Sequence, residues 1–168
     1  MTIPVVDLSD FTSGVPSRKL SFINQLGRAY EEVGFVAVKN HGVPSDVIND
    51  LYTYVQQFFS LPLDIKKQFE IPGLAGQRGY TSFGKEHAKG SEAPDLKEFF
   101  QYGQKAEGTD FIPEEYPDNV QVNEIAGFNP TFHNAYRSFE ESGKKLLQAI
   151  ALYPVSYTHL TLPTNREV

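Results

Sequence analysis

Apolar side chains recur every three to four residues in three stretches of the chain, and this spacing is typical of helices that bury one face. The stretches cover residues 18–34, 44–59 and 130–152. Pro154 follows the third stretch closely. Because proline cannot continue the backbone hydrogen bonding of a helix, we expect that helix to end before it. The pattern therefore predicts three amphipathic helices, the last of them long.

Three shorter segments, residues 3–8, 35–40 and 96–103, have the apolar composition of β-strands. Between the second helix and the third strand, residues 70–94 are rich in glycine and proline, which predicts a long loop of the kind that often carries function. The strands are far apart in sequence, and a lone strand leaves its backbone edges unpaired. We therefore expect an α+β fold whose strands pair with a sheet supplied from outside this chain.

The composition excludes several classes of partner. The chain has 168 residues, enough for one domain with a substantial core. Its net charge is −6 and its 15 Lys and Arg residues are scattered, so we expect neither nucleic acid nor an anionic membrane as a partner. No apolar run is long enough to span a membrane, and the first residues lack the pattern of a secretory signal. The absence of cysteine excludes disulfides and fits a cytoplasmic protein.

Local sequence patterns give no complete catalytic site. The 4 histidines lie far apart, and none begins an H-x-D, H-x-E or H-E-x-x-H motif. His41 lies in a tight turn after a predicted strand, where we expect a structural hydrogen bond, and His87 lies near two lysines in the predicted loop, where we expect it to be solvated. Motifs for a serine nucleophile or a phosphate-binding loop are absent. These patterns alone describe a soluble α+β protein without a complete active site.

Four segments within residues 3–103, taken in order, resemble the start of one enzyme family. They are "IPVVDLSDF", "AYEEVGFVAVKNHGVP", "FFSLPLDIKKQF" and "RGYTSFGKEHAKGSEAPDLKEFFQYG". The third contains the pattern F-F-x-L-P-x-x-x-K, and the fourth contains a G-Y loop followed by D-x-K-E-x-F. On these motifs the chain is similar to the non-haem iron oxygenases related to isopenicillin N synthase, a group with many 2-oxoglutarate-dependent dioxygenases.

The resemblance implies a specific chemistry. In such enzymes a double-stranded β-helix, or jelly roll, holds Fe(II) through an H-x-D motif and a distant histidine. The co-substrate 2-oxoglutarate binds the iron, while an arginine of an R-x-S motif pairs with its far carboxylate, and O2 then oxidises a small organic substrate. The sequence contains neither H-x-D nor R-x-S. We therefore expect no catalytic residue and no metal ligand in this chain, and no cofactor bound by it.

The same resemblance predicts how the chain is divided. Residues 1–103 correspond to the family's N-terminal domain and residues 104–153 to a linker and the long helix that leads to the barrel, while the barrel itself is largely missing. Residues 154–168 carry no family motif, so we expect a non-native read-through segment there; a natural disordered tail is the alternative. One departure concerns the family's N-x-W-P motif, of which only Asn119 is kept, because Gln121 and Val122 occupy the last two positions.

The G-Y loop contains the candidate substrate-binding residues, Arg78 and Tyr80. The resemblance places this loop near the mouth of the barrel, so we expect Arg78 to meet an anionic group of the substrate and Tyr80 to pack or hydrogen-bond beside it. The alternative is that both residues only hold the loop in place. The neighbouring charged residues Asp95, Lys97 and Glu98 are expected to be structural.

Three functions stay open on the sequence. The first is an N-terminal part of an Fe(II)- and 2-oxoglutarate-dependent oxygenase, which is inactive as it stands. The second is a non-catalytic interaction module descended from such an enzyme, whose apolar helix faces are covered by a partner. The third is an unrelated helical binding protein.

Overall fold

The structure, a computed structural model, describes residues 2–86, 95–105 and 115–158. Its elements in chain order are β1 (Val5–Asp7), α1 (Leu8–Phe11), α2 (Pro16–Glu32), β2 (Ala37–Lys39), α3 (Ser45–Phe59), α4 (Leu63–Lys66), a 3-10 turn (Lys67–Phe69), β3 (Gly79–Thr81), β4 (Phe99–Gln101) and α5 (Phe128–Thr158). The chain forms two compact units, one made of Met1–Pro44 with Ser138–Val168 and the other of Ser45–Arg137. No helix in the described residues is long and apolar enough to cross a membrane.

The first unit is built on a short pair of parallel strands. β1 lies beside β2 with Val6 opposite Val38. Pro16 opens α2, a position where its missing N–H costs no helical hydrogen bond. The core combines residues from both ends of the chain: Val6, Leu8, Phe11, Phe22, Ile23, Leu26, Ala149 and Tyr153.

Asp7 fixes the connection between β1 and α1. Its carboxylate accepts hydrogen bonds from the hydroxyl and the backbone N–H of Ser9, at 2.6 and 3.0 Å, and so caps the first turn of α1. The side-chain amide of Asn40 donates to the other carboxylate oxygen at 2.8 Å, and Lys39 lies 3.5 Å from it. The hydrogen bond from the Ser9 hydroxyl, supported by the other contacts, lowers the pKa of Asp7 to about 2.

The chain leaves β2 through a tight turn. Asn40 adopts a φ of +51°, in the left-handed region that asparagine tolerates better than most residues. The Nδ1 atom of His41 accepts the backbone N–H of Val43 at 3.1 Å, and the His41 carbonyl accepts the hydroxyl of Ser142 at 2.5 Å. The structural hydrogen bond predicted for His41 is therefore confirmed.

The second unit has an aromatic core. Phe58 in α3 is fully buried, and its ring centroid lies 4.8 to 5.9 Å from those of Phe59, Phe69, Tyr80, Phe100 and Phe128. β3 and β4 are antiparallel and place Tyr80 opposite Phe100. Phe128 and Phe132, one turn apart in α5, stack with centroids 4.0 Å apart. Rings of this size bury a large apolar area each, so a small unit obtains a dense core from few residues.

Two expectations from the sequence are wrong. The sequence predicts that the strands find their partners outside this chain, but the described strands pair with each other within it. The predicted loop 70–94 contains β3, and of that loop residues 87–94, including His87, lie outside the described residues.

The end of the long helix also differs from the expectation. α5 continues past Pro154 to Thr158, since an internal proline removes one helical hydrogen bond without having to end the helix. Residues 159–168 are not described, and the predicted division at residues 103 and 153 stays a prediction.

Candidate functional site

Lys66 joins three segments of the second unit through a buried ion pair. Its ammonium group lies 2.8 and 3.1 Å from the two carboxylate oxygens of Glu98 and donates to the Phe59 carbonyl at 3.2 Å. The hydroxyl of Tyr80 donates to the same carboxylate. The side chains of Lys66 and Glu98 are only 9% and 17% exposed, so these contacts are largely shielded from water. The end of α4, β3 and the start of β4 are therefore held together around Glu98.

The protonation states of this cluster suit its hydrogen bonds. Burial raises the pKa of Glu98, but the hydrogen bonds from Lys66 and Tyr80 and the charge of Lys66 outweigh burial and bring that pKa below its ordinary 4.5. Burial, the hydrogen bond to Glu98 and the charge of Glu98 all raise the pKa of Tyr80. At neutral pH Glu98 is therefore an ionised acceptor and Tyr80 a protonated donor.

The charged residues around Glu98 form the local cluster that the sequence predicts. Lys97 lies 2.7 Å from a carboxylate oxygen of Glu86 and 3.1 Å from one of Asp95. These side chains are 37% to 52% exposed, so water weakens their attraction. Asp95 and Lys97 thus form an ion pair with each other, and a purely structural role for them stays a prediction.

Arg78 comes directly before β3 and is half-buried. Its Nη1 atom donates to the carbonyl of Gln77 at 2.7 Å. Its Nε atom is buried and has no hydrogen-bond acceptor among the described residues. A buried N–H group without an acceptor is costly, and in a native protein it calls for an explanation. The Nε–H group of Arg78 is thus a buried donor without a hydrogen-bond acceptor among the described residues.

A cavity of about 430 Å3 opens beside this arginine. It lies between the turn after the 3-10 helix, β3 and the residues that follow β3. Its lining residues are Glu70, Ile71, Pro72, Gly73, Ala75, Gly76, Arg78, Tyr80, Thr81, Lys85 and Glu86. The structure therefore brings both sequence candidates, Arg78 and Tyr80, to one cavity.

Some of the charged side chains that line the cavity form ion pairs within the described residues, and one does not. Lys85 lies 3.7 Å from Glu70, and Glu86 is paired with Lys97. Burial raises the pKa of Glu70, but the hydrogen bonds from Ser82 and the nearby lysines bring it below its ordinary value, so the residue is ionised. Among the described residues, no carboxylate lies within ion-pair distance of Arg78. The cavity thus contains one cation whose charge the described side chains leave unpaired.

Tyr80 contributes to the cavity in a different way. Its ring is 2% exposed and packs in the aromatic core, and its hydroxyl is engaged by Glu98. Tyr80 therefore forms part of the wall, whereas Arg78 has a polar group without a partner among the described residues.

The described residues do not fit the iron site of an oxygenase. No group of three or more His, Cys, Asp or Glu side chains in residues 2–86, 95–105 and 115–158 is placed to hold a metal ion. His41 is engaged in the turn after β2, and His133 borders a separate cavity of about 440 Å3 near Asn119. His159 lies outside the described residues. No catalytic step through iron is therefore derived from this chain.

Sequence reasoning missed the partners of these residues. Lys66 and Glu98 are 32 positions apart, and Gly103, which lies against Arg78, is 25 positions from it by chain numbering. A signal for the first pair exists, since Lys66 stands in an apolar segment with Leu63 and Ile65, where a buried ammonium needs an acid. No comparable local signal connects Gly103 with Arg78.

A family profile described as "non-haem dioxygenase in morphine synthesis N-terminal" matches residues 3–124. The chain belongs to this non-haem dioxygenase family. The match covers both pairs of strands and the residues around Arg78, so the cavity lies within the part of the chain that the family profile matches.

Individual relatives agree with this assignment. The proline hydroxylase buaE of Petromyces alliaceus is 33% identical over 158 residues, which are 90% of this chain and 47% of the relative. The crystal structure of a 2OG-Fe(II) oxygenase family protein from Caulobacter crescentus matches with a TM-score of 0.75 and 32% identity, over 90% of this chain and 48% of that one. The chain spans about half the length of the relatives it matches.

A third comparison concerns the fold alone. A full-length protein from Neurospora crassa, crystallised in complex with alpha-KG, has a TM-score of 0.72 at 23% identity, over 90% of this chain and 46% of that one. The solved structures similar to this chain thus include a 2OG-Fe(II) oxygenase family protein, and the fold neighbour from Neurospora crassa was crystallised in complex with alpha-KG.

Proposed function

We propose that this chain is the N-terminal part of an Fe(II)- and 2-oxoglutarate-dependent oxygenase that oxidises a small organic substrate with O2. The observation that carries the proposal is the family match over residues 3–124, with relatives named as 2-oxoglutarate and Fe(II) oxygenases. The chain corresponds to about half of those proteins, and its sequence contains neither H-x-D nor R-x-S. The iron ligands and the 2-oxoglutarate arginine accordingly belong to a barrel beyond the long helix, and residues 1–168 alone are inactive.

In this proposal Arg78 binds the substrate. Its guanidinium borders the cavity, its charge has no described partner, and its buried Nε lacks an acceptor. A carboxylate can satisfy both the charge and the N–H group, because it accepts charge-assisted hydrogen bonds in the plane of a guanidinium. Glu70 and Glu86 line the same cavity, so a singly charged carboxylate meets less repulsion there than a dianionic phosphate.

Tyr80 supports this site from the core side. The clamp of Tyr80 by Glu98 fixes β3, and Arg78 precedes β3 by one residue. We therefore expect Tyr80 to pack beside the substrate group that Arg78 binds.

The gene sequence tests whether a catalytic barrel follows the long helix. Reading the genomic DNA past the codon for Tyr153 in all frames should reveal an H-x-D motif, a distant histidine and an R-x-S motif within the next several hundred bases. Their absence would contradict the oxygenase proposal and favour a non-catalytic interaction module.

The role of Arg78 is tested on the complete enzyme. The assay is substrate-dependent O2 consumption with Fe(II) and 2-oxoglutarate, run over a panel of amino acids and small carboxylic acids. Arg78→Ala should raise KM for the accepted acid about tenfold or more, because a charge-assisted hydrogen bond contributes ~1.5–3 kcal/mol. Arg28→Ala, a change on α2 in the other unit, is the control and should leave KM unchanged. Equal KM and kcat in Arg78→Ala and the unchanged enzyme would refute substrate binding by Arg78.

A further inference from the structure

We propose that Gly103 and Asn119 are positioning residues for Arg78: they form a shelf that supports one face of its guanidinium and so fixes the place of the Nε–H group, to which a carboxylate would bind. The inference rests on the proposed function of Arg78 and extends it to two residues that do not contact the cavity beside Arg78. Its first support is the close approach of the guanidinium to Gly103.

A side chain at position 103 would collide with Arg78. A Cβ atom built on Gly103 overlaps the Cζ, Nη1 and Nη2 atoms of Arg78, with Cζ the nearest. Because Cζ is nearest, the contact is with the face of the guanidinium rather than with its edge. The backbone of Gly103 is not in the left-handed region, so alanine is compatible with its conformation and the obstacle is steric alone. Glycine is needed here for the approach of Arg78.

Asn119 holds the shelf in place. The backbone N–H of Gly103 donates to Oδ1 of Asn119 at 2.8 Å, and Nδ2 of Asn119 donates to the Gly103 carbonyl at 2.8 Å. One side-chain amide thus satisfies both backbone polar groups of Gly103. A two-bond contact of this kind fixes the position and the orientation of the peptide, and a side chain resting on that peptide is fixed with it. The position of the guanidinium is therefore set by a residue that lies 41 positions further along the chain.

The described contacts of Arg78 engage one nitrogen and one face of the guanidinium. Nη1 is engaged by the carbonyl of Gln77, and the face is covered by Gly103. The Nε atom lacks an acceptor among the described residues. A carboxylate bound at Nε would supply the acceptor that the described residues lack. A shelf that prevents rotation of the guanidinium also keeps the Nε–H group in one orientation, which lowers the entropy lost when the ligand binds.

The experiment observes the Nε–H group directly. The complete enzyme, labelled with 15N-arginine and kept free of iron, is titrated with sodium acetate against sodium chloride of equal ionic strength, and Arg78→Lys identifies the Arg78 signal by its loss. Acetate should shift the Arg78 Nε–H signal in a saturable way. In Gly103→Ala and in Asn119→Ala the apparent affinity for acetate should fall about tenfold or more, which is ~1.4 kcal/mol for each factor of ten.

Asn129 provides the matched control. Its amide clamps the backbone of Val122 in the same two-bond manner, at 2.9 and 3.2 Å, and it borders the same 440 Å3 cavity as Asn119. Asn129→Ala should leave the acetate response of Arg78 unchanged. Equal acetate affinity in all variants, or the same loss in Asn129→Ala as in Asn119→Ala, would overturn the shelf. No acetate response in the unchanged enzyme would instead overturn the proposed role of Arg78 itself.

Discussion

Replacing Lys66 by methionine removes the ammonium group that faces Glu98, and we expect this single change to lower the free energy of unfolding by about 3 kcal/mol. At an effective dielectric constant of about 20, unit charges 2.8 Å apart attract each other by ~6 kcal/mol. Most of this attraction is offset by the cost of taking both ions out of water. The loss of one ion leaves the other uncompensated, which costs ~3–5 kcal/mol for a buried pair. Glu98 is 17% exposed, so the lower end applies.

Urea unfolding followed by far-UV circular dichroism measures this loss. With an m value of ~2 kcal/mol/M, 3 kcal/mol corresponds to a fall in the midpoint of ~1.5 M. The matched control is Lys97→Met, whose side chain is 52% exposed and also contacts two carboxylates; it should cost less than ~1 kcal/mol. The difference in the free energy of unfolding between the unchanged protein and Lys66→Met should become smaller in acid. Because the folded pKa of Glu98 is below 4.5, the stability from the pair is present above pH 4.5 and is lost as the pH falls through the folded pKa.

The second half of the test is a double mutant. In the Lys66→Met background, Glu98→Gln should restore part of the lost stability, because a neutral amide is less costly to bury than a carboxylate and can still accept the Tyr80 hydroxyl. The two changes should therefore be coupled by about 2 kcal/mol. If their effects on the free energy of unfolding add to within ~0.5 kcal/mol, the two residues are not an energetic pair and the reasoning is refuted.

Three further predictions concern other parts of the molecule. Gly27→Ala should lower the free energy of unfolding by ~1–3 kcal/mol, because the added Cβ overlaps the ring of Tyr153. The control is Gly143→Ala, also within a helix, whose added Cβ would have no atom within 4 Å; it should be neutral or stabilising by up to ~1 kcal/mol. Thermal melting of the two variants measures the difference. In 13C NMR the carboxyl carbon of Asp7 should titrate with a pKa of about 2. The stability that Asp7 contributes is therefore present above pH 3.8 and disappears as the pH falls towards 2. Ser9→Ala should raise the pKa of Asp7, and an unchanged pKa would contradict the hydrogen bond from Ser9 as its cause. Anaerobic calorimetry should detect no stoichiometric Fe(II) binding by residues 1–168, since the described residues contain no metal-ligand group, whereas one tightly bound equivalent would show that the ligands lie within this chain.

The sequence predicts the helices better than the strands. The apolar spacing within 18–34 and 44–59 agrees with α2 and α3 to within about two residues at each end. β3 has only three residues, all buried, and so shows no alternation of apolar and polar positions that could distinguish it from a loop. Short strands of this kind are defined by their partners, and the pairing of Val6 with Val38 or of Tyr80 with Phe100 is a tertiary event.

The candidate site was predictable only in part. Arg78 and Tyr80 follow from the resemblance of the G-Y loop, and both border the cavity. The state of each side chain depends on residues far along the chain: Glu98 engages the Tyr80 hydroxyl, and Gly103 supports the Arg78 guanidinium. A glycine in the sequence does not indicate which side chain will pack on its backbone, so this contact can be identified only from the structure.

The first compact unit is made from two separate pieces of chain, and this has a consequence for biosynthesis. Its early piece ends at Pro44, and the core that surrounds Phe22 and Leu26 is completed by Ala149 and Tyr153. The ribosome adds the whole of Ser45–Arg137 between these two pieces, and this segment can fold during that time. The usual order of folding, in which the N-terminal part folds first, is therefore inverted here: Ser45–Arg137 can fold first, and the core of the first unit remains incomplete until α5 has been made.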